Sequence, residues 1–510
     1  MSADPNASRL NVPDPHIATA HMKVSRGHWA VRQFGRASRE TVLKVAEAVA
    51  RAAHAKAGHY ADWAVRETGF GVVEHKKIKN ELSSLPLLDY YRDLDLVSPR
   101  VLPDDKMVEL PKPAGVIFAL TPATNPVATL YYKTLMAILS RNAIVFSPHP
   151  AARECSVDAA RTLAEAAETA GAPSGLIQCI EHPSVPLVQE VMASDKVAVI
   201  MATGGGAMVR AAYSSGNPAL GVGPGNAVAY VDPSAKVDAA ARRLIDSKSF
   251  DNSVLCTNES VVLTLDSNRG NVERALRSAG AHLCNEADTD KLRDYLFGEN
   301  GFNVAAIGKS AVWIADQAGI RVSPSVRVLV PIITAPGQDD ALFREKLCPV
   351  LTLASAVDFQ QAMTIAAQIA RRGGGHSAAF HGEAPDRLLH FSQHLPVYRV
   401  VVNAPCSQGA SGFATHLPPT FMVGTGFAGR SSVGENVGPQ HLVHWTRIAY
   451  NSDASVPFDQ FDLSVLDHKA PASAKAHAAP RAPSALPEPD RDMLRQLILE
   501  ELRGLTGGDK

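Results

Sequence analysis

Cys256 closes the run Phe250-Asp251-Asn252-Ser253-Val254-Leu255-Cys256, downstream of a glycine-rich stretch, Gly221-Val222-Gly223-Pro224-Gly225-Asn226. An ionised thiol attacks electrophilic carbon, so such a cysteine can add to an aldehyde and hold the oxidised product as a thioester. Its neighbours then decide what releases the product. The bland reading is a small buried hydrophobe, the usual state of a lone cysteine. A second candidate is Thr203-Gly204-Gly205-Gly206, which follows an apolar run and opens a helix. Small residues at such a turn let a ligand approach backbone amides. Either glycine-rich run alone is more often a tight connection than a site. The other cysteines (155, 179, 284, 348 and 406) show neither metal-ligand pairs nor a disulfide framework and read as packing residues.

The elements that must position these residues are legible in the apolar pattern. Ala114–Leu120 predicts a buried strand ending at Thr121-Pro122, followed by a helix over 126–140. Ala143–Phe146 predicts a second strand, stopped by Ser147-Pro148-His149-Pro150, and a helix covers 151–170. A third strand, Val197–Met201, runs into the glycines at 204–206. Strands alternating with helices imply a doubly wound parallel α/β sheet whose ligand crevice lies at the strands' carboxyl ends. Residues 40–70 carry helical periodicity, with Val42, Val45, Ala46 and Val49 on one face. A second α/β unit is expected over 233–415, with Ser260–Leu265 as a strand and an apolar run near 327–333. The glycine-rich stretch 416–450 is expected to return to the first unit or to form an oligomer interface.

Bulk properties bound the function. At 510 residues the chain is too long for one core. A net charge of −1 and no long basic run argue against nucleic acid or an anionic membrane as partner. No stretch has the length and apolarity of a membrane span, and the N-terminus lacks the plan of a secretory signal. A cytoplasmic protein with reduced thiols is expected.

Taken in order, the motifs resemble the aldehyde dehydrogenase superfamily, and within it the CoA-acylating branch of acetaldehyde and propionaldehyde dehydrogenases. They are Pro113–Ile117, Thr121-Pro122-Ala123-Thr124-Asn125-Pro126, Arg141–Pro150, Thr203-Gly204-Gly205, Gly221–Asn226 and Phe250–Cys256. Glu345–Val350, Gly375-His376-Ser377-Ala378 and Ser432–Pro439 complete the set. The resemblance runs over roughly residues 20–450. It implies a doubly wound cofactor-binding domain over 1–232 and an α/β catalytic domain over 233–415. It makes Cys256 the nucleophile and gives Asn125, with the Cys256 backbone N–H, the role of holding the oxyanion. Glu345 would hold the nicotinamide ribose. Thr121, Pro122, Ser147, His149, Gly204, Gly205 and Gly221 would line the dinucleotide site. His376 would bind CoA or assist deprotonation of its thiol, although a structural histidine fits equally well. NAD is the expected cofactor, with NADP possible, coenzyme A is the co-substrate, and no metal is expected.

One departure sets the expected product. Hydrolytic members carry a glutamate that activates water, and the matching position here is Gly221. Without that base a CoA thiol takes the acyl group instead, giving acyl-CoA. The tail adds a further expectation. Residues 463–488, clearest over 469–487, have Ala/Pro linker composition. Residues 489–506 predict a short amphipathic helix with Met493, Leu494, Leu497, Ile498 and Leu502 on one stripe. Linker and helix together resemble the encapsulation peptides of enzymes packaged in bacterial microcompartments, which implies a shell protein as partner. The alternative is a helix docked on its own oligomer, a dimer or tetramer by family habit.

Overall fold

Apolar runs without alternation need cover on both faces, and Val116–Thr121 and Ala143–Pro148 are buried at every position. The computed structural model describes residues 15–298, 301–333 and 340–466. There the two strands lie inside a five-stranded parallel sheet. Its order is Ile177–Cys179, Ala143–Pro148, Val116–Thr121, Val199–Thr203, Ala219–Val222. The chain builds outward from Val116–Thr121 on one side, then returns to build on the other. A crevice therefore opens beyond the carboxyl ends of Val116–Thr121 and Val199–Thr203.

Helix Pro126–Leu139 is buried along its whole length, packed against Arg39–Ala55 and Arg153–Thr169. Its Lys133 ammonium donates to the carbonyls of Leu120 (2.7 Å) and Met201 (2.9 Å), tying together the strands that flank the crevice. Burial pulls that ammonium well below its ordinary pKa. The helical periodicity expected over 40–70 resolves into two helices, Arg39–Ala55 and Ala57–Thr68, broken at Lys56. Ser38 caps the first, its hydroxyl accepting the Thr41 N–H at 3.2 Å.

The second sheet has six parallel strands, in the order Ile332–Ile333, Thr352–Ala356, Glu259–Leu265, Ala227–Val231, Ala378–His381, Val400–Val402. Ala227–Val231 pairs only within this sheet, so the change of unit falls at Gly223–Asn226, ahead of the expected boundary at 232/233. The apolar run near 327–333 serves two sheets. Val328–Val330 pairs with Ala281–Leu283, whereas Ile332–Ile333 edges the six-stranded sheet. The segment 416–450 packs on the first unit: Met422, Val437 and Leu442 join its core. Val443–Ala449 pairs antiparallel with Met107–Pro113 over its full length. The chain described ends in a short turn, Leu463–Leu466. The remainder of the expected linker, and the helix at 489–506, lie outside the described residues. No described helix is long and apolar enough to cross a membrane.

Glu259 opens the central strand of the second sheet with its side chain fully buried. One oxygen accepts the Cys406 N–H at 3.0 Å and the other has no partner. Burial pushes this carboxyl from its ordinary 4.5 up to about 7. A raised carboxyl pKa means the fold favours the neutral form. That stability is present below the unfolded pKa and is lost as pH rises through about 7. Glu259→Gln keeps an acceptor for Cys406 and removes the ionisation. The variant is expected to be more stable than the parent at pH 8, by on the order of 1–3 kcal/mol, and to lose that advantage near pH 5. Melting curves of both proteins across this range check it; an advantage independent of pH would contradict the assignment.

Candidate active site

A cavity of about 630 Å³ opens at the crevice between the two sheets. Its wall gathers Thr121, Pro122, Asn125, Ser147, His149, Gly204, Gly205, Cys256 and Glu345 from strand ends far apart in sequence. Two of the expected residues lie elsewhere. His376 sits buried behind the wall, and Gly221 faces away from the cavity.

The approach to Cys256 is unusual backbone. Asp251, Asn252 and Ser253 all have positive φ, at 52°, 50° and 65°. Each such non-glycine residue costs on the order of 1 kcal/mol, so the turn must be held from outside. Helix Val73–Leu82 and the residues before it do this. The Asp251 carboxylate accepts the Val72 N–H (2.7 Å) and bonds the Lys76 ammonium (3.1 Å) and that of Lys79. The Asp251 N–H donates to His75 Nδ1 at 2.9 Å. Gly71, at φ 81°, packs so close to the Asp251 carboxylate that a Cβ would collide with it. Two ammonium groups keep Asp251 below the usual carboxylate range against the opposing effect of burial. The sequence reading missed this set: nothing in the spacing of Lys76 and Lys79 links them to a residue about 170 positions later.

Asn125 occupies the N-cap of helix Pro126–Leu139, where asparagine normally caps with its side chain. Here it does not. Its Nδ2 donates to the Val254 carbonyl at 3.0 Å and, more weakly, to Thr124 Oγ1 at 3.3 Å, while Oδ1 accepts from Lys79. The carboxamide is thereby brought to the residues just before Cys256.

Cys256 is half-buried at the cavity wall. Burial, then the Glu345 carboxylate, push its thiol above the ordinary value, and Arg399 and Lys79 oppose them. Glu345 itself accepts the Gly225 N–H at 2.9 Å, and burial raises it to about 8. Gly225 passes so near the Cys256 carbonyl oxygen that no Cβ fits, and the His376 ring lies on the same side. The His376 Nδ1 bonds Ser377 Oγ at 3.0 Å, and its buried Nε2 has no partner. Burial, helped by Arg399, pulls this imidazole down to about 3, so it is neutral and a weak base. The Arg399 guanidinium fixes the loop by donating to the carbonyls of His376, Gly424 and Gly434.

The dinucleotide end fits the group expected there. Helix Gly206–Tyr213 starts at the wall with Gly205 as N-cap and no side-chain cap, leaving backbone donors for an anion. A Cβ at Gly204 would meet nothing nearer than Met208 at 3.9 Å, so the turn is open. Thr121 Oγ1 and Thr203 Oγ1 are buried without partners at the ends of the two central strands. His149 Nδ1 accepts the Ala151 N–H at 3.1 Å and caps the turn after its strand. Glu67, unnoticed in the sequence, also lines the cavity. Its carboxylate accepts the N–H groups of Glu154 (2.7 Å) and Cys155 (2.9 Å). Gly221 departs from expectation: a Cβ there would lie 2.7 Å from both the Tyr213 ring and Val209.

Comparison with known proteins agrees with this architecture. The profile of the Aldehyde dehydrogenase family matches residues 11–293. The chain is 37% identical, over 82% of its length, to an aldehyde-alcohol dehydrogenase of Clostridium acetobutylicum, and spans about half (49%) of that longer protein. It is 36% identical to a succinate-semialdehyde dehydrogenase (acetylating) of Clostridium kluyveri, covering 82% of this chain and 93% of that one. The structure of a Rhodopseudomonas palustris propionaldehyde dehydrogenase, solved with bound CoA and an acylated cysteine, superposes with a TM-score of 0.77. That match has 25% identity and covers 84% of this chain and 97% of the other. This chain belongs to the aldehyde dehydrogenase family, in the branch that includes its acetylating members.

Proposed function

We propose that the protein oxidises a short-chain aldehyde to acyl-CoA, reversibly, through a thioester on Cys256. The carrying observation is the pairing of Cys256 and Asn125 at one cavity whose wall offers no carboxylate at position 221, that space being filled by Tyr213 and Val209. The Cys256 sulfur adds to the aldehyde carbon, its proton leaves, and the carbonyl oxygen takes up negative charge. Asn125 Nδ2 and the Cys256 N–H hold that charge, a kind of contact worth about 3–4 kcal/mol of barrier. A nicotinamide held beside Glu345 and the strand-end turns would supply the acceptor for the hydride on that carbon. The CoA sulfur then attacks the acyl carbon, and the Cys256 thiolate departs. His376, neutral and buried behind the cavity wall, fits a structural role in the glycine loop better than that of a base for the incoming thiol.

Glu345 would face the nicotinamide ribose, and Thr121, Pro122, Ser147, His149, Gly204 and Gly205 the rest of the dinucleotide. NAD is favoured over NADP, since a lysine or arginine would suit a 2′-phosphate and none is among the described residues lining the cavity. The tail is read as a shell-binding segment, on its linker and amphipathic composition. Deleting 489–510 is expected to leave turnover intact and abolish co-sedimentation with shell protein. Lost turnover would assign the tail to the enzyme's own assembly.

The deciding assay follows NADH formation from acetaldehyde and propionaldehyde with and without CoA, with products identified by mass spectrometry. NADH that depends on CoA, with matching acyl-CoA, is expected. Steady NADH without CoA, with free acid as product, would mean that another base activates water. Cys256→Ala is expected to leave below about one per cent of turnover while cofactor affinity stays within about twofold. Larger residual turnover would remove Cys256 from the mechanism.

A further inference from the structure

The buried charge set beside Cys256 does more than hold a turn. Lys79 projects from helix Val73–Leu82, its side chain 3% exposed, and donates both to Asp251 Oδ2 and to Asn125 Oδ1. An ammonium has donors only, so the carboxamide must turn its oxygen towards Lys79. The nitrogen is left for the other side, where it rests on the Val254 carbonyl at 3.0 Å and Thr124 Oγ1 at 3.3 Å. The longer contact is the one an incoming oxyanion would displace. A flipped carboxamide would set its NH2 against the ammonium and its oxygen against the Val254 carbonyl. Both contacts are repulsive.

Lys76 has a different task. Its ammonium bonds the Thr124 carbonyl (2.8 Å) and Asp251 (3.1 Å) and makes no bond to the Asn125 side chain. One carboxylate thus faces two amines: burial pulls the Lys79 ammonium down to about 7, and Asp251 opposes this by holding its proton. A cation on Oδ1 polarises the amide and strengthens its N–H as a donor.

We propose that Lys79 is the positioning residue of the oxyanion site: anchored by Asp251, it locks the Asn125 carboxamide with Nδ2 towards the reacting oxygen and strengthens that donor. This rests on the reading of Asn125 as oxyanion donor. It adds a residue that never touches substrate yet sets the rate through one that does.

The test is a double-mutant cycle on the full chain: Lys79→Met and Lys79→Gln, each alone and with Asn125→Ala. The readout is aldehyde-dependent NADH formation in the presence of CoA. Lys79→Met is expected to lower kcat/KM for aldehyde about tenfold or more alone, and less than about twofold beside Asn125→Ala. Lys79→Gln, which can still donate to Oδ1, should recover part of the loss. Alkylation of Cys256 by iodoacetamide forms no oxyanion, but Lys79 also holds the thiol down, so in Lys79→Met alkylation should slow, and by less than turnover does. Equal losses in both backgrounds, or alkylation slowed as much as turnover, would overturn the proposal. If Lys79→Met does not fold, the Lys79→Gln cycle decides: a loss that persists undiminished beside Asn125→Ala overturns it. A parent protein inactive on every aldehyde with CoA would instead defeat the functional reading, and this inference with it.

Discussion

A carboxylate clamped between two buried ammonium groups is the interaction on which the site depends. Asp251 is fully buried, and Lys76 and Lys79 are nearly so. Charges taken out of water are costly unless fully paired, and removing one partner from such a set commonly costs about 3–5 kcal/mol. Here that cost is offset by what the clamp holds. Three successive residues with positive φ lead to Cys256, and the helix Val73–Leu82 supplies the bonds that keep them there. The same helix reaches Asn125. Cys256 and the Asn125 carboxamide are thus referred to one rigid element, and a sub-ångström shift in either would pass through the clamp.

Burial sorts the charges around this clamp. It raises Glu345 to about 8 and lowers His376 to about 3, so near neutral pH both are mostly uncharged. Burial also pulls the Lys79 ammonium down to about 7, opposed by Asp251, while the Arg399 guanidinium, lowered to about 10, stays charged. Arg399 and Lys79 act on Cys256 in the direction of the thiolate, against the larger effect of burial. The same cations favour the alkoxide that forms when a thiolate adds to an aldehyde carbon. Arg399 contributes in a second way by fixing the glycine loop of His376 against the loop 424–434 through three carbonyls.

Position 221 is closed by its neighbours. The Gly221 N–H donates to the Tyr213 hydroxyl at 2.9 Å, and Ser431 Oγ donates to the Gly221 carbonyl at 3.1 Å. Tyr213 and Ser431 also bond each other at 3.0 Å. The glycine is thus one part of a hydrogen-bonded group that fills the space beside the strand end. A glutamate introduced alone would meet the Tyr213 ring and Val209, and the neighbours would have to change with it.

The local elements and the chemical types at the strand ends were legible in the chain. Apolar runs bounded by Pro and Gly gave the central strands of the first sheet. Thr121, Ser147 and Gly204 follow from being the residues at which those runs stop, since a parallel sheet puts such turns together. Cys256, Asn125 and Glu345 were legible through their motifs. The tertiary structure decided what depends on long-range approach. Lys76 and Lys79 look like ordinary charges on a helix face until folding carries Asp251 to them. Glu67 looks like a surface carboxylate until a helix N-terminus arrives beside it. The position of the unit boundary and the orientation of Gly221 also had to wait, because strand partners and the direction of a Cβ are set by pairing. A burial or a charge contact between residues about 170 positions apart leaves no periodic trace in the chain; it exists only once the backbone has closed.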